Sequence, residues 1–123
     1  MQKVDFYNAS LSDKHPLYTK SQKLQREADL KILFDIAETF FGFTAGKFFE
    51  RNRSPVMSHP RFMVILYAVV CKKYSLHEVG RVLCFSHKSV LHALNTISEF
   101  LQLYDDYRDR YIDMKQHFEQ YEK

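Results

Sequence analysis

The stretch Ser75-Leu76-His77-Glu78-Val79-Gly80-Arg81-Val82-Leu83-Cys84-Phe85-Ser86-His87-Lys88-Ser89-Val90-Leu91-His92-Ala93 contains two helix starts. Ser75 with Glu78 three positions on has the form of a capping box, in which side chains satisfy the first backbone N–H groups of a helix. Ser86 is a second N-cap candidate. The spacing predicts a short helix from Leu76 to about Leu83, a tight connection at Cys84 and Phe85, and a long helix after Ser86. A short helix, a turn of two or three residues and a second capped helix is helix-turn-helix spacing. Gly80 lies inside the first helix, where the missing Cβ admits a close neighbour. On the second helix Val90, Leu91, Leu94, Ile97 and Leu101 fall on one side, at about 100° per residue. Lys88, Ser89, His92 and Thr96 fall on the other, with His87 in the exposed first turn. A donor-rich first turn on a helix packed from behind is what major-groove reading requires. An ordinary amphipathic helix with a solvated face has the same pattern.

Upstream, Ser58 has the form of an N-cap with Pro60 in the first turn, where a missing N–H does no harm. The helix expected from His59 to about Lys73 is apolar nearly all round and is therefore the central one. Lys72 and Lys73 suit its C-terminal end. Arg51 to Ser58 reads as a loop punctuated by Pro55. Before it, Thr44 is placed to cap a short helix over Ala45 to Arg51 that buries Phe48 and Phe49. Leu30, Leu33, Phe34, Ala37, Phe40 and Phe41 recur at helical spacing from about Lys23, and Gly42 is the stop signal. Residues 1–22 are polar and read as an arm; residues 23–97 form the helical domain.

Downstream, Ile97, Phe100, Tyr104, Tyr107, Tyr111, Met114, Phe118 and Tyr121 alternate three- and four-residue steps, a heptad seam. The spacing predicts that residues 98–123 continue the preceding helix, so that Ile97 to Tyr121 runs roughly 36 Å. Two partners fit the seam: a second copy, giving a homodimer, or the chain's own N-terminal arm or Leu24–Phe41 helix. A dimer would set two recognition helices on half-sites roughly one DNA turn apart.

Composition agrees with an all-α reading. Three glycines and three prolines in 123 residues are too few for the turns of an all-β sandwich. The longest apolar run, Phe62 to Cys71, is ten residues, too short to span a bilayer. Lys3 and Asp5 with no apolar run after them predict no signal peptide. Cys71 and Cys84 read as buried small hydrophobes, and the expected compartment is the cytoplasm, in association with the nucleoid. The net charge of +3 is unevenly spread: residues 51–92 hold seven basic residues and one acidic, whereas residues 93–123 hold four and seven. A basic block of this kind suits a polyanion partner.

At these residues the chain resembles the C-terminal DNA-binding domain of the bacterial replication initiator DnaA, without the ATPase domain. That family joins a basic loop, a Pro-Arg helix, a Ser-Leu-x-x-Ile-Gly helix and a signature like Gly-Gly-Arg-Asp-His-Thr-Thr-Val-Leu-His-Ala. The matching stretches are Arg51-Asn52-Arg53, His59-Pro60-Arg61, Ser75-Leu76-His77-Glu78-Val79-Gly80 and Ser86-His87-Lys88-Ser89-Val90-Leu91-His92-Ala93, within residues 33–97. The resemblance implies a Trp-repressor-like helix-turn-helix fold that recognises double-stranded DNA. It implies that His87, Lys88 and Ser89 read bases and that Arg53 enters the minor groove. Arg51, Arg61, Lys72, Lys73, Arg81 and His92 are the candidate phosphate contacts, and Leu76 and His77 match positions near the groove wall. Cys84-Phe85-Ser86 replaces Gly-Gly-Arg-Asp, one residue shorter, and Lys88 replaces a Thr. The initiator's own DNA site therefore does not carry over. A transcription regulator or a replication accessory factor of bacterial, phage or mobile-element origin fits this reading. The alternative is a protein-interaction adaptor working through the heptad helix.

No enzyme, cofactor or metal is expected. Gly42 to Lys47 is one residue short of a phosphate loop, and Phe48 stands where a Ser or Thr would hold Mg²⁺. The spacing of Cys71, Cys84, His87 and His92 matches no zinc pattern. No nucleophile–base pair or paired carboxylate stands out from the charged surface.

Overall fold

The computed structural model describes residues 18–51 and 54–121. Five α-helices and one 3-10 turn follow in order: α1 Lys20–Phe41, the 3-10 turn Lys47–Phe49, α2 Pro55–Val70, α3 Leu76–Leu83, α4 His87–Leu103 and α5 Asp105–Tyr121. There is no strand among the described residues. The fold is an all-α bundle, as the scarcity of turn residues predicts.

α1 starts three residues before the expected Lys23, because Thr19 and Gln22 close a capping box: Thr19 N–H donates to Gln22 Oε1 at 2.9 Å, and Gln22 N–H to Thr19 Oγ1 at 3.2 Å. It stops at Gly42, whose φ of 79° lets its N–H turn back to the carbonyls of Glu38 and Thr39. Leu30, Leu33, Phe34 and Ala37 form its buried stripe. Glu38 is buried too, and its carboxylate accepts the N–H groups of Gly46 at 3.0 Å and Phe48 at 2.8 Å. Those two bonds wind the loop over the end of α1 and lower Phe48 into edge-to-face contact with Phe34, Phe41 and Phe43. The helix expected over Ala45 to Arg51 is only a 3-10 turn, Lys47–Phe49, with Glu50 already extended (φ −84°, ψ 151°). Phe48 is buried as expected, and Phe49 half-buried.

α2 is the central helix, with Met63 to Ala68 all buried, and its most extensive contact is with α4. It begins at Pro55 behind Ser54, not at His59 behind Ser58. Met57 and Ser58 are buried in the added turn. Pro60 therefore sits inside the helix, where its ring removes one backbone hydrogen bond. α2 ends at Val70, earlier than the expected Lys73. Lys72 and Lys73 lie beyond it, Lys73 with a φ of 60°, and Tyr74 N–H closes onto the Ala68 carbonyl at 3.0 Å.

The C-terminal part departs most from expectation. The continuous helix from Ile97 to Tyr121 is broken at Tyr104, whose backbone is extended (φ −125°, ψ 121°). Arg108 donates to the carbonyls of Leu101 and Gln102 at 3.1 and 3.2 Å and pairs with Asp105, so its side chain covers the open end of α4. α5 then packs on α1 and α4. Met114 and Phe118 are buried, Phe118 stacked on Tyr67 with ring centres 4.7 Å apart. Of the two partners the seam suited, the structure uses the chain's own α1. The seam residues Met114 and Phe118 are thereby inside the molecule, not on a face open to a second copy. No described helix is long and apolar enough to cross a membrane.

Candidate nucleic-acid interface

α3 starts and stops at the expected residues and α4 starts at its expected one, and each of these three ends has a physical cause. At the start of α3, Ser75 Oγ accepts the Glu78 N–H and Ser75 N–H donates to Glu78 Oε1, both at 3.0 Å. The same carboxylate takes Arg26 from α1, Nε to Oε2 at 2.7 Å and Nη2 to Oε1 at 3.1 Å. Arg26 lies between the rings of Tyr18 and Tyr74 and also donates to the Lys73 carbonyl. Burial pushes the Glu78 carboxyl up, but Arg26 and the Ser75 N–H outweigh it and hold it below its ordinary value. The hydrogen bond to Glu78 correspondingly raises Arg26. The entry to α3 is thus clamped to α1 by a charged fork.

The turn is fixed by its backbone. Cys84 has a φ of 59°, and the N–H groups of Cys84 and Phe85 both reach the Gly80 carbonyl. A Cβ at Gly80 would lie 2.7 Å from the Phe85 carbonyl oxygen. The Cβ-free position expected to allow close approach is therefore occupied by the turn itself. Ser86 Oγ accepts the Ser89 N–H at 3.1 Å and donates to Ser89 Oγ at 2.9 Å, which starts α4.

Behind this start, Val90, Ala93, Leu94 and Ile97 are wholly buried against α2 and α3. In front, Lys88, Ser89 and His92 are exposed and His87 is half-exposed. The His87 ring lies 5.2 Å from that of His77, an exposed residue of the first turn of α3. His92 contacts Thr96, four positions on, and the Phe62 ring. One surface therefore carries His77, His87, Lys88 and Ser89.

The other candidates separate. Arg53, the minor-groove residue, lies outside the described residues; its neighbour Arg51 is exposed. Arg61 does not suit a phosphate contact. It is 3% exposed, donates to the carbonyls of Phe48 and Glu50 at 3.2 and 3.0 Å, and lies over the Phe85 ring. Burial lowers its pKa, and its work is to tie the α1–α2 loop to the turn. Leu76 is also misplaced as a groove-wall residue: it is fully buried in the core. Lys72 lines a cleft of about 320 Å³ with Arg26, Asp29, Tyr74, Phe118 and Tyr121. Arg81 pairs with Glu27 of α1 at 3.4 Å and remains exposed, as does Lys73. Both cysteines, expected in the core, are exposed, because each follows the end of a helix.

Two polar contacts have no short-range signal. Arg26 and Glu78 are 52 positions apart. His59 Nδ1 and the Tyr107 hydroxyl meet at 2.7 Å across 48 positions, and burial lowers the His59 pKa. Among the described residues no three His, Cys, Asp or Glu side chains gather as a metal site. No protein-family model matches this sequence, and no curated protein matches it.

Proposed function

We propose that this chain binds double-stranded DNA through α3, the turn and α4, with the first turn of α4 entering the major groove. The observation that carries the reading is the asymmetry of α4. On its rear face Val90, Ala93, Leu94 and Ile97 are wholly buried, and its first turn offers an imidazole, an ammonium and a hydroxyl to solvent. The turn that presents them is closed by two amides on the Gly80 carbonyl. In this reading His87, Lys88 and Ser89 contact bases. Arg51, Lys73, Arg81 and His92 supply phosphate contacts, and Arg53 the minor-groove contact that the resemblance to the DnaA domain implies. That resemblance supports the class of partner. The changed turn and Lys88 give the chain its own DNA sequence. A transcription regulator or replication accessory factor is the corresponding role, with the chain acting in the nucleoid.

Selection from a random duplex library, followed by fluorescence anisotropy at two salt concentrations, tests it. The expected result is a recovered motif bound at least about 10³-fold more tightly than random DNA. Lys88→Ala should relax the preferred sequence. Lys73→Ala should weaken all duplexes alike and reduce the salt slope by about one. No enrichment, with no binding at physiological salt, would overturn the reading and return the adaptor alternative.

A further inference from the structure

We propose that His77 and His87 form a binding site for a divalent transition-metal ion of the zinc class. The two imidazoles come from successive helices, one from the first turn of α3 and one from the first residue of α4. Their ring centres are 5.2 Å apart, with the planes inclined by 31°. Two imidazoles on one tetrahedral ion, at metal–nitrogen distances of about 2.0–2.1 Å, have ring centres about 5 Å apart. The observed separation is one at which both rings can ligate a single ion. His77 is exposed and His87 half-exposed, so an ion reaches them without any opening of the fold.

The backbone holds the pair in place. α3 packs on α4, and the Cys84 and Phe85 N–H groups both bond to the Gly80 carbonyl, so the two rings stand on adjoining, packed helices. Because no third His, Cys, Asp or Glu side chain joins them among the described residues, water completes the coordination. The ion is therefore exchangeable, unlike the ion of a closed structural site. Two cations, Lys88 and Arg81, neighbour the pair in sequence, and Arg81 is paired with Glu27. The local field does not draw a cation in, so affinity depends on bonds to nitrogen. Ions that prefer nitrogen, such as zinc, nickel and copper, should bind, and oxygen-seeking magnesium should not.

Isothermal titration of the full chain with ZnCl₂ and with MgCl₂ provides the test. The expected result is one zinc ion per chain, no magnesium binding, and at least a tenfold loss of zinc affinity in both His77→Ala and His87→Ala. Circular dichroism should show both variants folded, since neither ring is buried. Cu²⁺ bound at one equivalent should show two nitrogen ligands by electron paramagnetic resonance, and one in either variant. Absence of zinc binding up to about 1 mM, or an isotherm that either substitution leaves unchanged, would overturn the site. A further arm rests on the DNA-binding reading: an ion on His87 withdraws it from the bases, so zinc should lower DNA affinity in the parent chain and not in His77→Ala. DNA binding that ignores zinc, beside an intact zinc isotherm, would remove His87 from the base contacts and leave the metal site standing. No DNA binding at all, with that isotherm intact, would overturn the DNA reading alone.

Discussion

Two junctions flank α4, and they are built differently. The one before it, at Cys84 to Ser86, is closed by backbone: two amides share the Gly80 carbonyl, and no space remains for a Cβ beneath Phe85. The one after it turns on a single extended residue, Tyr104, and one side chain, Arg108, bonded to two carbonyls of α4. The first leaves no room for a side chain at Gly80. The second persists because α5 gains more by burying Met114 and Phe118 than by continuing straight. The surface proposed to meet DNA lies on the first junction; the second closes the core.

The contrast can be broken most sharply at Phe118. Phe118→Ala should cost about 3–5 kcal/mol in urea unfolding, by loss of a buried ring stacked on Tyr67. A cost under about 1 kcal/mol would mean that α5 is not docked. Next comes Gly80→Ala. Helix propensity alone would make it stabilising by about 1 kcal/mol. The overlap with the Phe85 carbonyl should reverse the sign to a loss of about 2 kcal/mol in thermal unfolding, and a stabilised variant would show the turn to be adaptable.

A third test uses acid. The folded carboxyl of Glu78 lies below its ordinary value. Its contribution is therefore complete above the ordinary carboxylate pKa of about 4.3 and is lost as pH falls through the lower folded value. Glu78→Gln should cost about 1 kcal/mol at pH 7, the pair being partly solvated, and its stability deficit should shrink as pH falls toward 2. A deficit equal at both pH values would assign the effect to packing. The smallest effect is expected at Tyr104: Arg108→Ala should cost about 0.5–1 kcal/mol and leave a monomer in sedimentation. Dimerisation of that variant would show that α4 and α5 straighten and release the seam.

The legible parts of the sequence were those with local causes. Ser75 with Glu78, Ser86, and Gly42 each set a helix boundary through neighbours within four residues, and both ends of α3 and the start of α4 fell at the expected places. The start of α2 was misplaced, since Arg51 to Ser58 read as a loop and Ser58 as the cap; burial of Met57 and Ser58 draws that segment into the helix, and burial is not local. The break at Tyr104 has no Gly or Pro to announce it. The heptad spacing runs through the break because α5 turns its seam to the same core. Of the candidate interface, His77, His87, Lys88 and Ser89 were legible from the helix-turn-helix pattern and the resemblance. Arg61 and Leu76 were not, since motif position says nothing of which side chain another segment will cover.

The return of α5 to α1 also bears on the order of folding. Phe40 and His117 touch, joining the first and last of the described helices. Closing so long a loop costs entropy before its contacts give anything back. The five-residue closure from Gly80 to Phe85 costs far less. The helix-turn-helix pair should thus be structured in the transition state and the α1–α5 seam should form after it. Stopped-flow kinetics should then find Gly80→Ala mainly in a slower folding rate and Phe118→Ala mainly in a faster unfolding rate.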